Sequence, residues 1–230
     1  MSEVDSSILI DQYVGLDFCR THISECDLTR RVLRELNEFG VNIVIRKSCW
    51  ERVTNGLANI QMLLEHLCNR ASELLQDLSD EDALNEFVSD TLTHSELVDD
   101  LNIDPEYLPD VGNLKSDVRD LGIREFRRYL SNNLTQSIKA QRELDLLVSS
   151  RYTSSAHDPL IFETSISQII EDEEVIEILL DAYAWSGGDK KYLLTPQNGV
   201  IYREKSDIED KMNNSSYEIL SPEDIMNTVS

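Results

Sequence analysis

The chain has 230 residues, with 44 Asp or Glu against 21 Lys or Arg and a formal net charge of −23. Hydrophobic residues make up 40% of it, enough for a sizeable core, which excludes wholesale disorder. A surface this acidic repels nucleic acid and anionic membranes at ordinary salt. Its basic residues are 14 Arg and 7 Lys. An acidic, lysine-poor composition fits concentrated salt, because at about 1 M the Debye length is roughly 3 Å and repulsion between surface acids is nearly screened out. A salt-adapted protein is the expectation, and an acidic surface that binds a partner or mimics nucleic acid is the alternative. No stretch reaches the length of a membrane helix, and no basic region followed by an apolar signal core opens the chain, so the expected location is cytoplasmic, without membrane contact. Cys19, Cys26, Cys49 and Cys68 lack the paired spacing of a zinc site and read as reduced, structural thiols.

In chain order, Ile8-Leu-Ile10 is an apolar run that ends in one acid, Asp11. A buried parallel strand delivers a carboxylate to the sheet edge in this way, where open α/β folds keep their sites. The plainer role for Asp11 is to cap a turn. Cys26 to Gly40 reads as a helix with Leu28, Val32, Leu36 and Phe39 on one face and Gly40 as its stop. Val41 to Ile45 follows as a second strand, completing a strand–helix–strand unit with parallel pairing. Ser48 suits a helix cap, and Glu51 either closes a capping box with it or faces the sheet edge beside Asp11.

Residues 56–78 read as a long amphipathic helix. From Ala71 to Leu114 there are 13 acids and no Lys or Arg, so this is expected to be a short acidic helical subdomain or lid, solvated or docking a basic partner. Lys115 to Arg151 reverses the balance, with eight basic residues against five acids on a helical apolar pattern. Its Arg119, Arg124, Arg127 and Arg128 are candidates for gripping phosphate, with ordinary helix ion pairs as the alternative. Asp158-Pro159 reads as a helix start, and Glu171-Asp-Glu-Glu174 opens another helix on Val175, Ile178, Leu179, Ala182 and Tyr183. Lys191 to Thr195 is a late strand and Pro196 to Gly199 a turn. A short helix over 206–212, a strand Tyr217 to Leu220 and a closing helix turn from Ser221 complete the chain.

Phosphate-binding glycine loops, zinc spacings and nucleophile elbows are absent from the sequence, which leaves carboxylate chemistry. Acids gathered at a sheet edge repel one another, and a hard divalent cation, Mg²⁺ or Mn²⁺, is the usual remedy.

Ile8-Leu-Ile-Asp11, the strand–helix–Glu51 arrangement, Asp172 before its helix, Leu193-Leu-Thr195 and the tail Ser221-Pro-Glu-Asp-Ile-Met226 together resemble PIN-domain nucleases. The resemblance covers both ends of the chain. It implies an α/β fold with a small central parallel sheet flanked by helices in three layers. All of 1–230 would be one PIN-like domain, with 56–151 as a large helical insertion or lid. It further implies a metal-dependent RNA endonuclease in which Asp11, Glu51 and Asp172 bind Mg²⁺ or Mn²⁺, Asp158 competes with Asp172 as third acid, and Thr195 orients a ligand or water. Many members of this family are toxins held by an antitoxin, so RNA and a protein partner are expected, and a homo-oligomer is left open. The chain departs from the family pattern in two places: Pro196-Gln-Asn-Gly199 stands where a further acid is usual, and Gln12-Tyr13 follows Asp11 where small polar residues are favoured. Two competing readings are a PIN-like scaffold without activity that serves as a binding module, and a mainly helical interaction protein using its acidic surface.

Overall fold

In the computed structural model the described residues are 7–19, 26–77, 109–153, 160–185, 191–212 and 217–229. They form strands β1 (Ser7–Ile10), β2 (Asn42–Arg46), β3 (Val148–Tyr152), β4 (Lys191–Leu194) and β5 (Tyr217–Leu220). The helices are α1 (Gln12–Cys19), α2 (Asp27–Glu38), α3 (Lys47–Asp77), α4 (Pro109–Leu147), α5 (Leu160–Ile166), α6 (Glu173–Ala184), α7 (Val200–Arg203), α8 (Lys205–Met212) and α9 (Pro222–Val229). The class is α/β, with a five-stranded sheet ordered β3-β2-β1-β4-β5 and every pair parallel. Near-continuous apolar strands are what a parallel sheet covered on both faces requires, and Ile8, Leu9, Ile10, Ile43, Val44, Ile45, Leu193, Leu194 and Ile219 are all buried.

From β1 the chain steps outward to β2 and β3, then returns past β1 to lay down β4 and β5. Right-handed crossovers send the connections of the two halves to opposite faces. The packing is compatible with three layers: α2 lies on β2 and against α9, whereas α5 packs against both α6 and α8. The β1/β4 boundary is therefore the topological switch point, where the carboxyl ends of two neighbouring strands diverge.

The chain divides into two units. The first comprises the described residues of Met1–Phe18, Glu25–Val53 and Glu143–Ser230, including the whole sheet; the second comprises those of Cys19–Ser24 and Thr54–Arg142. In the second unit α3 and α4 bury Leu57, Leu63, Leu67, Phe126 and Leu130, and Gln61 donates to Gln141 at 3.2 Å. Most of the acidic segment expected over 71–114 lies outside the described residues, as do Asp158 and Gly187-Gly188.

Several expectations change in detail. The helix begins at Lys47 directly after β2, so Ser48 is inside it and the Ser48–Glu51 capping box does not form. Residues 56–77 continue that same helix. Of the face expected on α2, Val32 is buried but Phe39 is 69% exposed, and Thr29, Arg30 and Leu33 are buried as well. Gly40 does stop α2, with φ +75. Tyr183 is exposed, although Val175, Ile178, Leu179 and Ala182 are buried as expected. Val148 to Arg151, expected to be helical, and Tyr152 form β3 on the sheet edge. Among the described residues no helix is long and apolar enough to cross a membrane, and all four cysteines are free.

α1 crosses α3 closely. A Cβ at Gly15 would stand 2.8 Å from Val53 Cγ2, a stiff β-branched side chain that cannot swing aside. Gly15→Ala is expected to lose about 1–3 kcal/mol of stability in urea unfolding. Val53→Ala in the same chain should recover part of that loss.

Candidate functional site

Asp11 stands immediately beyond β1, and its backbone N–H donates to the Leu194 carbonyl at 3.3 Å. Thr195 stands in the equivalent place beyond β4, its N–H donating to the Leu220 carbonyl at 3.0 Å. The sheet thus holds both residues side by side at the switch point, each 1% exposed. Asp11 Oδ1 accepts the Val14 N–H at 2.8 Å, so it caps the first turn of α1, and the plainer reading is realised for this oxygen. Capping leaves the other oxygen unexplained: Oδ2 is buried without a hydrogen-bond partner.

Burial pushes the Asp11 carboxyl up to about 7, with nearby Asp17 adding to the effect; the Thr195 side chain and the Val14 and Tyr13 amides pull the other way without overcoming it. Leaving a buried acceptor unpaired costs about 1–3 kcal/mol, so such atoms are retained where something else is to meet them. Three further unpaired oxygens among the described residues share this edge. Ser48 Oγ follows β2, Tyr152 Oη ends β3 and Glu223 Oε2 follows β5, all on the carboxyl edge of the sheet. Tyr217, at the opposite end of β5, carries another.

No family model, curated protein or solved structure matches this chain. The site is therefore read from its own geometry.

Asp172 is the N-cap of α6, where its Oδ1 accepts the N–H groups of Glu174 at 2.9 Å and Val175 at 3.3 Å. Glu51 is exposed on α3, with Lys47 Nζ 3.9 Å away. Arg124, Arg127 and Arg128 are exposed on α4 of the second unit, at spacings that put them on one side of the helix, and Arg119 lies earlier on the same helix. Among the described residues no group of three or more His, Cys, Asp or Glu is arranged to hold a metal ion.

Sequence reasoning missed what surrounds Asp11. The buried Gln12 side chain donates from Nε2 to Glu174 and accepts at Oε1 from Arg52 at 3.2 Å. Arg52 also pairs with Glu174 at 2.9 Å and with Glu177 at 3.4 Å, while Arg46 pairs with Asp181. Glu174, Glu177 and Asp181 recur along one side of α6, and that spacing of acids was the available signal. The Tyr13 hydroxyl is pushed far up by burial first, then by the negative charges of Glu174, Asp11 and Asp172. Cys49 is buried beside these groups; burial and then Asp11 raise its thiol to about 12, against the opposing pull of Arg46 and Arg52. A thiol held there stays protonated at neutral pH, which removes Cys49 as a nucleophile.

A divalent cation here would have few protein ligands, which suits an ion that keeps its waters. Mg²⁺ keeps several waters and takes one or two protein carboxylates plus substrate phosphate, so it does not need a three-acid cage. Asp11 Oδ2, buried and unpaired, is a carboxylate oxygen at this edge that would be open to such an ion.

Proposed function

We propose that this chain is a PIN-like, metal-dependent ribonuclease, with Asp11 as the metal-holding carboxylate and Thr195 beside it to orient a ligand or water. The observation that carries this reading is the unpaired Asp11 oxygen at the β1/β4 switch point. Bound there, Mg²⁺ or Mn²⁺ would supply a Lewis acid for a phosphodiester and lower the pKa of an attacking water. Asp11 holds its own place through the Val14 N–H, so the geometry of its free oxygen is set before any ligand arrives. Thr195 is fixed by its backbone bond to Leu220, and its side chain already favours the ionised Asp11. The exposed Arg124, Arg127 and Arg128 offer electrostatic purchase on an RNA backbone, and molar salt reduces the repulsion that a −23 surface would otherwise exert.

Mn²⁺ titrated calorimetrically into the wild type in molar KCl should bind saturably, and Asp11→Asn should abolish both this binding and metal-dependent RNA cleavage while remaining folded by circular dichroism. Unchanged cleavage in the variant overturns the reading. The pairing of Glu174 with Arg52 favours a second reading, in which the acids are neutralised from within and the fold serves as a binding module. Absence of Mn²⁺ binding in the wild type would select it.

A further inference from the structure

Arg151 is fixed on two sides. Its guanidinium lies over the Trp50 ring, 4.3 Å from the centroid, and its Nη2 pairs with the Asp145 carboxylate. The side chain is still 42% exposed, and its neighbours on β3, Ser149 and Ser150, are short and exposed. Ordering so long a side chain costs rotamer entropy, which a ligand meeting this guanidinium would not have to supply again. Arg151 pairs in register with Ile45, and Ile45 with Ile10, so Arg151 stands level with the residue before Asp11, two strands across. At about 4.8 Å per strand, that is roughly 10 Å along the sheet. Trp50 belongs to the first turn of α3, which leaves β2 at the same carboxyl edge. A nucleic-acid strand with a phosphodiester at Asp11 therefore has its neighbouring nucleotides within reach of this guanidinium.

Charge alone is a poor grip for this chain. Phosphate contacts work by releasing counter-ions and weaken steeply as salt rises, while at low salt a net charge of −23 opposes them. Base stacking depends on neither. Every nucleobase presents a π-face, and aromatic rings and guanidinium planes both serve as its platform. A guanidinium backed by an indole combines the two, because arginine stacks on aromatic faces and keeps its charge in all conditions.

We propose that Arg151, backed by Trp50, is the stacking seat for an unpaired nucleobase beside the phosphodiester at Asp11, so that these two residues select unpaired over paired RNA. This rests on the ribonuclease reading of the Asp11 site. The base stacks on the outer face of the guanidinium, Trp50 covers the inner face, and Asp145 keeps Arg151 from turning towards a phosphate. A base inside a duplex is already stacked on its neighbours and has no face to offer the seat.

The test is binding of a short, labelled single-stranded RNA of mixed sequence, in chelator, to the wild type, Arg151→Lys and Trp50→Leu, with thermal melts to confirm folding. Abasic versions of the RNA, each lacking one base in turn, are bound alongside. Arg151→Lys keeps the charge and loses the plane, and should weaken binding about fivefold or more. The factor should be the same at about 0.2 M and about 1 M KCl, whereas loss of a phosphate contact would fade as salt rises. Trp50→Leu should weaken binding in the same direction. One abasic version should weaken the wild type by a similar factor and leave Arg151→Lys unchanged, because both changes remove the same stack. Binding unchanged in Arg151→Lys, an effect lost in molar salt, or abasic losses that add to that of the variant would each overturn the inference. Cleavage of the same RNA in Mn²⁺ decides the other reading separately. Asp11-dependent cleavage with KM unchanged in Arg151→Lys leaves the Asp11 site standing without the seat. The stacking signature in a protein that cleaves nothing leaves the seat without the nuclease, and neither binding nor cleavage by the wild type overturns both.

Discussion

Asp11→Asn is expected to make the metal-free protein more stable at about pH 8, by about 1–3 kcal/mol, while depriving it of its metal ligand. The carboxyl is held near 7 in the folded chain, mainly by burial, against 3.8 for the unfolded group. At about 1.4 kcal/mol per pKa unit, keeping it ionised inside the fold costs about 4 kcal/mol. Between these two values the folded protein binds the extra proton, so stability falls as pH rises from about 4 to about 7 and is level above that. Asparagine carries no charge and still accepts the Val14 N–H at Oδ1. Its amide nitrogen inherits the unpaired position of Oδ2, which returns about 1–3 kcal/mol of the gain. Urea unfolding in chelator at about pH 5 and about pH 8 checks this: the wild type should lose stability between the two, and the variant should not. A wild-type profile without that loss would mean the carboxyl is not desolvated. Divalent cation should reverse the order, because a ligand at a hundred times its Kd adds about 2.7 kcal/mol to the wild type and nothing to the variant.

Why Asp11 was legible and Glu174 was not follows from the range of the interactions involved. Ile8-Leu-Ile-Asp11 announces itself within four residues, because a fully buried parallel strand must be apolar throughout and a single acid at its end stands out. β2 shows a similar apolar run in Ile43-Val-Ile45, and β4 and β5 shorter ones in Leu193-Leu194 and Ile219-Leu220. β3 does not. Its residues Ser149, Ser150 and Arg151 are exposed, so it has no apolar run to display, and its strand state comes from pairing with β2 through an irregular register at Ile43/Val44. Arg151 then lies over the Trp50 ring at 4.3 Å, a contact across about a hundred residues of chain that no window on the sequence contains. Ser48 misled for the opposite reason: its local pattern was that of a cap, but β2 runs into α3 with no intervening residue, so the helix had already begun. Glu174 meets Gln12 at a separation of 162 residues. Asp172 was legible from sequence, since a helix-capping acid is recognisable locally, and its Oδ1 does cap α6.

Arg46→Ala is expected to cost about 3–5 kcal/mol. Arg46 is the last residue of β2 and pairs with Asp181, a buried carboxylate on α6, with Glu177 a further 3.9 Å contact. Removing the guanidinium takes its counter-charge from a buried carboxylate, which is far more damaging than never having placed an ion pair there. Arg46→Met combined with Asp181→Leu should therefore regain most of the loss in urea unfolding, since two apolar side chains of similar volume need no partner. The double variant also separates support from chemistry. Glu174, Glu177 and Asp181 lie along one side of α6, so the Arg46 pair anchors the same helix that carries Glu174. If anchoring is all that Arg46 contributes, Mn²⁺ binding should fall in Arg46→Ala and return with stability in the double variant. If binding stays low after stability is restored, the Arg46 charge itself belongs to the electrostatic balance that Arg52 and Glu174 share.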